Sequence, residues 1–127
     1  MGQSTPIGTK SILIVEDEAL VRYDLVDFFE DAGWRVFDAA NADDAISIMD
    51  ERNDVRVVLT DVQMPGSMDG LKLAHYVRER FPPTILFVVS GNEPIGISDL
   101  PERACFLPKP FDAHWLLSKI EAAVIKK

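Results

Sequence analysis

The sequence predicts an α/β protein, a doubly wound, five-stranded parallel sheet with strand order 2-1-3-4-5. Short apolar runs alternate with longer stretches of helical periodicity along the chain. Most of those runs are apolar throughout, which marks strands covered on both faces. Five strands separated by helices pair in parallel through right-handed crossovers. At 127 residues and 47% apolar content, the chain fits one domain with a real core.

The elements follow in order. Residues 1–9, MGQSTPIGT, lack the apolar centre of a signal peptide and are expected to form a flexible tail, leaving the domain proper at 10–127. Ile12 to Val15 is the first strand. The next helix turns Val21, Leu25, Phe28, Phe29 and Ala32 inward and is closed by Gly33. Trp34 to Ala40 is a strand with Arg35 and Asp38 interleaved, so it is expected at an edge. Asn41 caps a helix with Asp43 and Asp44 in its first turn and Ala42, Ala45, Ile46 and Met49 inward. Val55 to Leu59 is the third strand. Past the turn-rich MPGSMDG, a helix spans about residues 71–80 with Leu73, Ala74, Val77 and Phe81 inward, and Pro82 and Pro83 stop it. Ile85 to Val89 is the most apolar strand. Residues 91–103 contain Gly91, Pro94, Gly96 and Pro101 and have no convincing amphipathic pattern, so a helix there is expected to be short, irregular or missing. Ala104 to Leu107 is the last strand, expected to be as fully covered as those at 12 and 85. Asp112 caps a final helix with Leu116, Leu117, Ile120 and Val124 inward. The arrangement is flavodoxin-like.

Composition excludes several functions. A net charge of −8 with no basic stripe argues against nucleic acid. The longest pure apolar run, Ile85 to Val89, is far from the roughly 20 residues of a membrane span, so a cytoplasmic protein without membrane contact is expected. Cys105 is the single cysteine, which rules out an internal disulfide, and its setting in ACFL predicts a buried, inert thiol. Trp34 and Trp115 are expected in or half within the core. His75 and His114 fall on helices and serve as surface or packing residues. Lys126 and Lys127 look like an ordinary helix C-terminus.

The informative residues stand where the interior strands end. The first strand runs into Glu16-Asp17, the third into Thr60-Asp61, the fourth into Ser90 and the fifth into Pro108-Lys109-Pro110. In a parallel sheet these tips gather at one edge, and ligands bind there beside the switch in strand order, here between the first and third strands. Each residue alone has a plainer reading: Glu16, Asp17 or Glu18 as a helix-start acid, Asp61 as a cap, Ser90 as a turn residue. Glu18 keeps that plain role. The convergence of four strand ends outweighs the separate readings. Asp17 and Asp61, helped by Glu16, offer hard oxygens for Mg²⁺. An aspartate can attack phosphorus, and a metal, the Lys109 ammonium and the Ser90 hydroxyl would neutralise the transferring group. No evident base would drive rapid turnover.

The motifs ILIVEDE, VVLTDVQMPGSMDGLKLA, FVVSGN and FLPKPFD resemble, in order and spacing, those of the CheY-like response-regulator receiver domain of two-component systems. The resemblance runs from Ser11 onward. It implies that Asp61 is the phosphoacceptor, loaded by a sensor histidine kinase or a histidine phosphotransfer protein. It further implies Asp17 as a direct Mg²⁺ ligand, Glu16 as one acting through water, and the Gln63 backbone carbonyl as the remaining ligand. Ser90 and Lys109 would contact the phosphoryl group, Phe106 would be the switch aromatic, and Lys109–Pro110 would be cis. Phosphorylation would shift a pre-existing population of loop arrangements and so change binding of a downstream protein. Self-phosphorylation and slow autodephosphorylation would be the only chemistry, and the state a monomer or a weak, phosphorylation-dependent dimer.

Two departures stand out. The loop after Asp61 is one residue longer than the common MP-x-MDG form, which is expected to enlarge the turn without moving the acceptor. Only 19 positions separate Ser90 from Lys109, a few fewer than usual. That shortened pattern is similar to stand-alone receivers. Within the class, an effector and a phosphate shuttle in a phosphorelay are both open. The rival outside it is a haloacid-dehalogenase-like phosphatase, which would need a second aspartate where Gln63 stands.

Overall fold

A computed structural model describes residues 10–52, 54–64, 66, 68–91 and 95–125; the expected tail, Pro94 and the two terminal lysines lie outside them. Strands β1 (Ser11–Val15), β2 (Arg35–Ala39), β3 (Val57–Asp61), β4 (Ile85–Ser90) and β5 (Ala104–Pro108) alternate with helices α1 (Ala19–Asp31), α2 (Ala42–Glu51), α3 (Gly70–Arg80) and α4 (Ala113–Ile125). All pairings are parallel, in the order β2-β1-β3-β4-β5. Both the class and the order match the expectation from sequence.

Strand alternation sorts the core into two layers. Leu13, Val15, Val58, Leu86 and Val88 face α2 and α3, where they meet Ala45, Met49, Leu73 and Val77. Ile12, Ile14, Val57, Leu59, Phe87 and Val89 face α1 and α4, against Leu25, Phe29, Leu116 and Ile120. The helix ends follow local chemistry. Asn41 accepts the Asp44 amide at 2.8 Å, Asp69 the Lys72 amide at 2.9 Å and Asp112 the Trp115 amide at 3.1 Å. Gly33, at φ +94, takes the left-handed turn that ends α1.

Five expectations need correction. β3 starts two residues later than expected, so Thr60 and Asp61 belong to the strand itself and are as buried as its core. β5 is not covered on both faces: of its five residues only Leu107 is buried. Cys105 is exposed too, on the other face of the sheet, since it pairs in register with Phe87, which faces α1 and α4. β5 is a sheet edge, and among the described residues the segment before it carries only a 3-10 turn, Ile97–Asp99, where a helix would otherwise shield the sheet. Trp115 is 39% exposed, more open than the core or half-buried position expected, whereas Trp34 is buried. On α1 the buried stripe is Arg22, Leu25 and Phe29, with Val21, Phe28 and Ala32 only half-buried.

The segment before β5 is held from α3. The Arg78 guanidinium donates to the carbonyls of Glu102 (2.8 Å), Pro82 (2.6 Å), Thr84 (2.9 Å) and Arg103 (3.4 Å). His75 Nε2 pairs with the Asp99 carbonyl at 2.9 Å. His114 packs edge-on against Phe28. Both histidines are exposed, as expected.

Candidate functional site

The strand tips converge. Carboxylate oxygens of Glu16, Asp17 and Asp61 lie within 4.8 Å of one another. Glu16, just beyond β1, is buried, Asp17 is exposed, and Asp61 at the end of β3 is buried. β1 pairs directly with β3, placing Val15 beside Thr60, so the acids straddle the point where strand order reverses. The cis Lys109–Pro110 bond follows β5. Lys109 Nζ sits 2.7 Å from Asp61 Oδ2 and 3.8 Å from Glu16 Oε1.

The second oxygen of Asp61, Oδ1, accepts the Gln63 amide at 3.3 Å. Glu16 Oε2 accepts the Glu18 amide at 2.9 Å. Burial pushes the Glu16 carboxyl up to about 7; the Glu18 amide and Lys109 oppose the rise and the Asp61 charge adds to it. For Lys109, burial favours loss of the proton, but the bond to Asp61 and the charge of Glu16 overcome it and raise its pKa. The ammonium therefore stays charged, and Asp61 is its principal partner.

Ser90 closes β4 beside Pro108 of β5. Its carbonyl accepts the Lys109 amide at 3.0 Å, joining the two predicted phosphoryl contacts through the main chain. The hydroxyl is buried and is the one fully buried side-chain oxygen or nitrogen, among the described residues, that has no hydrogen-bond partner. A buried hydroxyl left unsatisfied costs about 1–3 kcal/mol, which suits a donor kept for an incoming oxygen-rich group. Phe106 is half-buried and in register with Val88, on the sheet face that looks toward α3.

Two residues were invisible to the pattern in the sequence. Arg22, a charged residue of α1, is buried and donates to the Glu16 carbonyl at 2.8 Å. Its place on a stripe with Leu25 and Phe29, three and seven positions on, is the signal that would have found it. Gly70 presses so closely on the Asp61 main chain that a Cβ there would overlap the Asp61 carbonyl oxygen; nothing local in the sequence announces it.

Comparison with known proteins decides the family. The profile of the response regulator receiver domain matches residues 12–121. The chain belongs to the response regulator receiver family. The sensor kinase CckA of Brucella abortus (strain 2308) is 36% identical over 124 residues, a match covering 94% of this chain but only 13% of that protein. The response regulator receiver protein CpdR of the same organism is 34% identical over 119 residues, covering 91% of this chain and 98% of CpdR. The solved receiver domain of NtrX from Brucella abortus has a TM-score of 0.81 at 30% identity, with 91% of this chain and 99% of that one covered. The receiver therefore takes part in two-component signalling. Among its described residues no helix is long and apolar enough to cross a membrane.

The donor set fits the divalent ion associated with such domains. Three carboxylates within 4.8 Å supply hard oxygens, and the Glu16 carboxyl, pushed up mainly by burial and further by the Asp61 charge, is one whose ionised form a cation would favour.

Proposed function

We propose that residues 10–127 form a phosphorylation switch in which Asp61 accepts a phosphoryl group from a phosphohistidine. The observation that carries this reading is the Asp61 carboxylate standing 2.7 Å from Lys109 Nζ, within the acid cluster. A carboxylate oxygen of Asp61 forms the new P–O bond while the P–N bond to the donor imidazole breaks; the imidazole leaves and takes up a proton. Lys109 moves its charge from the carboxylate to a phosphoryl oxygen. Ser90 Oγ, which has no partner in the resting state, donates its proton in a hydrogen bond to another.

Glu16, Asp17, Asp61 and the Gln63 carbonyl would hold Mg²⁺, which when bound supplies positive charge to the transferring group. The new charge, roughly −1.5 to −2, favours the loop arrangement in which Ser90 meets the phosphoryl oxygens, and Phe106 on the neighbouring strand repacks with it. The phosphoryl donor is a sensor histidine kinase or histidine phosphotransfer protein, and the output is binding of a downstream protein in the cytoplasm. The similarity to the sensor kinase CckA and the response regulator receiver protein CpdR supports the histidine-kinase side of this reading. The phosphatase alternative lacks the second aspartate, since Gln63 occupies its position.

The test is mass spectrometry after acetyl phosphate treatment, with and without Mg²⁺. One Mg²⁺-dependent phosphoryl adduct is expected on the natural chain and none on Asp61→Asn. An undiminished adduct on Asp61→Asn overturns the reading.

A further inference from the structure

Among the described residues, Arg22 is the buried charged side chain outside the acid cluster and its lysine. It sits on the inward stripe of α1, where Leu25 and Phe29 meet the core. Placing a guanidinium there is costly unless its donors are matched, and they are. Nη1 donates to the Glu16 carbonyl at 2.8 Å, Nε to Asp38 Oδ2 at 2.9 Å and Nη2 to the Tyr23 hydroxyl at 3.3 Å.

These contacts close a ring. The Glu16 amide donates to the Ala39 carbonyl of β2 at 3.0 Å, its carbonyl accepts from Arg22, and Arg22 binds Asp38, the neighbour of Ala39. Both main-chain polar groups of Glu16 are thereby held against the edge strand, at the point where the chain leaves β1 and enters the acid loop. The Glu16 carboxylate is fixed separately by the Glu18 amide. Asp17, the exposed acid of the cluster, has its direction set by the peptide whose oxygen Arg22 holds.

We propose that Arg22 is a positioning residue of the acid site, fixing the Glu16 main chain in the metal-binding arrangement and tying it through Asp38 to the edge strand β2. The inference rests on the Mg²⁺-binding reading above and deepens it: part of the metal affinity is written into a strand that contributes no ligand. Groups that orient ligands in this way typically change metal affinity by about 10- to 100-fold when removed. A lysine at position 22 would keep the charge but lose the fork that reaches two oxygens at once.

The experiment measures Mg²⁺ dissociation constants by displacement of Mn²⁺, followed through the free Mn²⁺ EPR signal, alongside urea unfolding in EDTA. The full chain is compared with Arg22→Met, Arg22→Lys and Asp38→Asn. Arg22→Met is expected to weaken Mg²⁺ binding about tenfold, Arg22→Lys to recover part of that loss, and Asp38→Asn to fall between. A residue serving only stability would lower the urea midpoint and leave the Mg²⁺ constant of the folded protein unchanged; that result overturns the proposal. Should Arg22→Met fail to fold, Asp38→Asn decides, and natural affinity in it overturns the proposal. Failure of the natural chain to bind Mg²⁺ at all would instead overturn the reading of the acid cluster itself.

Discussion

Gly70 offers the sharpest test of how the acceptor is held. It is the first residue of α3, its amide donates to the Val62 carbonyl at 2.8 Å, and its backbone φ is an ordinary negative one. Space alone therefore decides what Gly70→Ala does. The added Cβ would overlap the Asp61 carbonyl oxygen, lie 2.6 Å from the carbonyl carbon and 2.9 Å from Val62 Cα. All of these are backbone atoms and none can swing aside. Restoring ordinary contact near 3.4 Å requires α3 and the end of β3 to separate by more than the roughly 0.8 Å that the carbonyl carbon alone demands, because the oxygen is closer still. Overpacking of that kind costs about 1–3 kcal/mol, and stretching the Gly70–Val62 hydrogen bond adds up to about 1 kcal/mol. The better helix propensity of alanine returns at most about 1 kcal/mol. A net loss of about 2 kcal/mol is expected, or roughly 8 °C in Tm for a chain of this size. Because the displaced peptide carries the Asp61 carboxylate, Mg²⁺-dependent phosphoryl acceptance should slow by about tenfold or more. Urea unfolding with an unchanged m-value, and adduct formation over time, read the two effects. A Gly70→Ala protein as stable as the natural chain and phosphorylated at the same rate would refute the close approach.

Three further outcomes are expected. Ser90→Ala removes an unsatisfied buried hydroxyl, so its urea midpoint should hold or rise by an equivalent of up to about 1 kcal/mol, while the phosphorylation-dependent NMR shifts at Phe106 should disappear. Without divalent ion, stability should fall as pH rises: the Glu16 carboxyl stands at about 7 in the fold against its ordinary 4.5, so its contribution is complete below 4.5 and lost as pH passes 7. The loss is at most about 3 kcal/mol, and urea melts at pH 5 and pH 8 should show it in the natural chain but not in Glu16→Gln. Arg78→Met takes the donor from the Glu102, Thr84 and Arg103 carbonyls, while Pro82 keeps Arg103 Nη1 at 3.2 Å, and should cost about 2 kcal/mol, with amide hydrogen exchange accelerating at residues 99–104 and phosphoryl acceptance at Asp61 intact.

Much of the fold was legible in the chain because its interior strands are written as uninterrupted apolar runs, and the Asn41 and Asp112 caps lie within a few residues of what they satisfy. The site was legible for a related reason. Parallel strands deliver their last residues to one edge whatever the helices do, so Glu16, Asp17, Asp61 and Lys109 could be brought together from topology alone. β5 was misread because ACFL looks the same whether or not something covers it. Its cover depends on the segment before it, which forms only a 3-10 turn. Arg22 escaped notice because hydropathy scores a guanidinium as outward-facing, although its oxygens wait on β2 and at Glu16. Gly70 escaped because its constraint comes from β3, nine residues away in sequence and in contact only through packing.

The bare flank beside β5 sets the kind of contact this edge can make. A continuous helix offers a partner a regular ridge repeating every 3.6 residues, into which another helix can settle in several registers. Here the described residues present a pinned stretch of main chain, with Ile97 projecting at 90% exposure. Any partner meeting this flank would face a few individual side chains and a fixed turn, which leaves little room for register sliding. A protein shaped to grip a helical ridge would find none among the described residues of this flank.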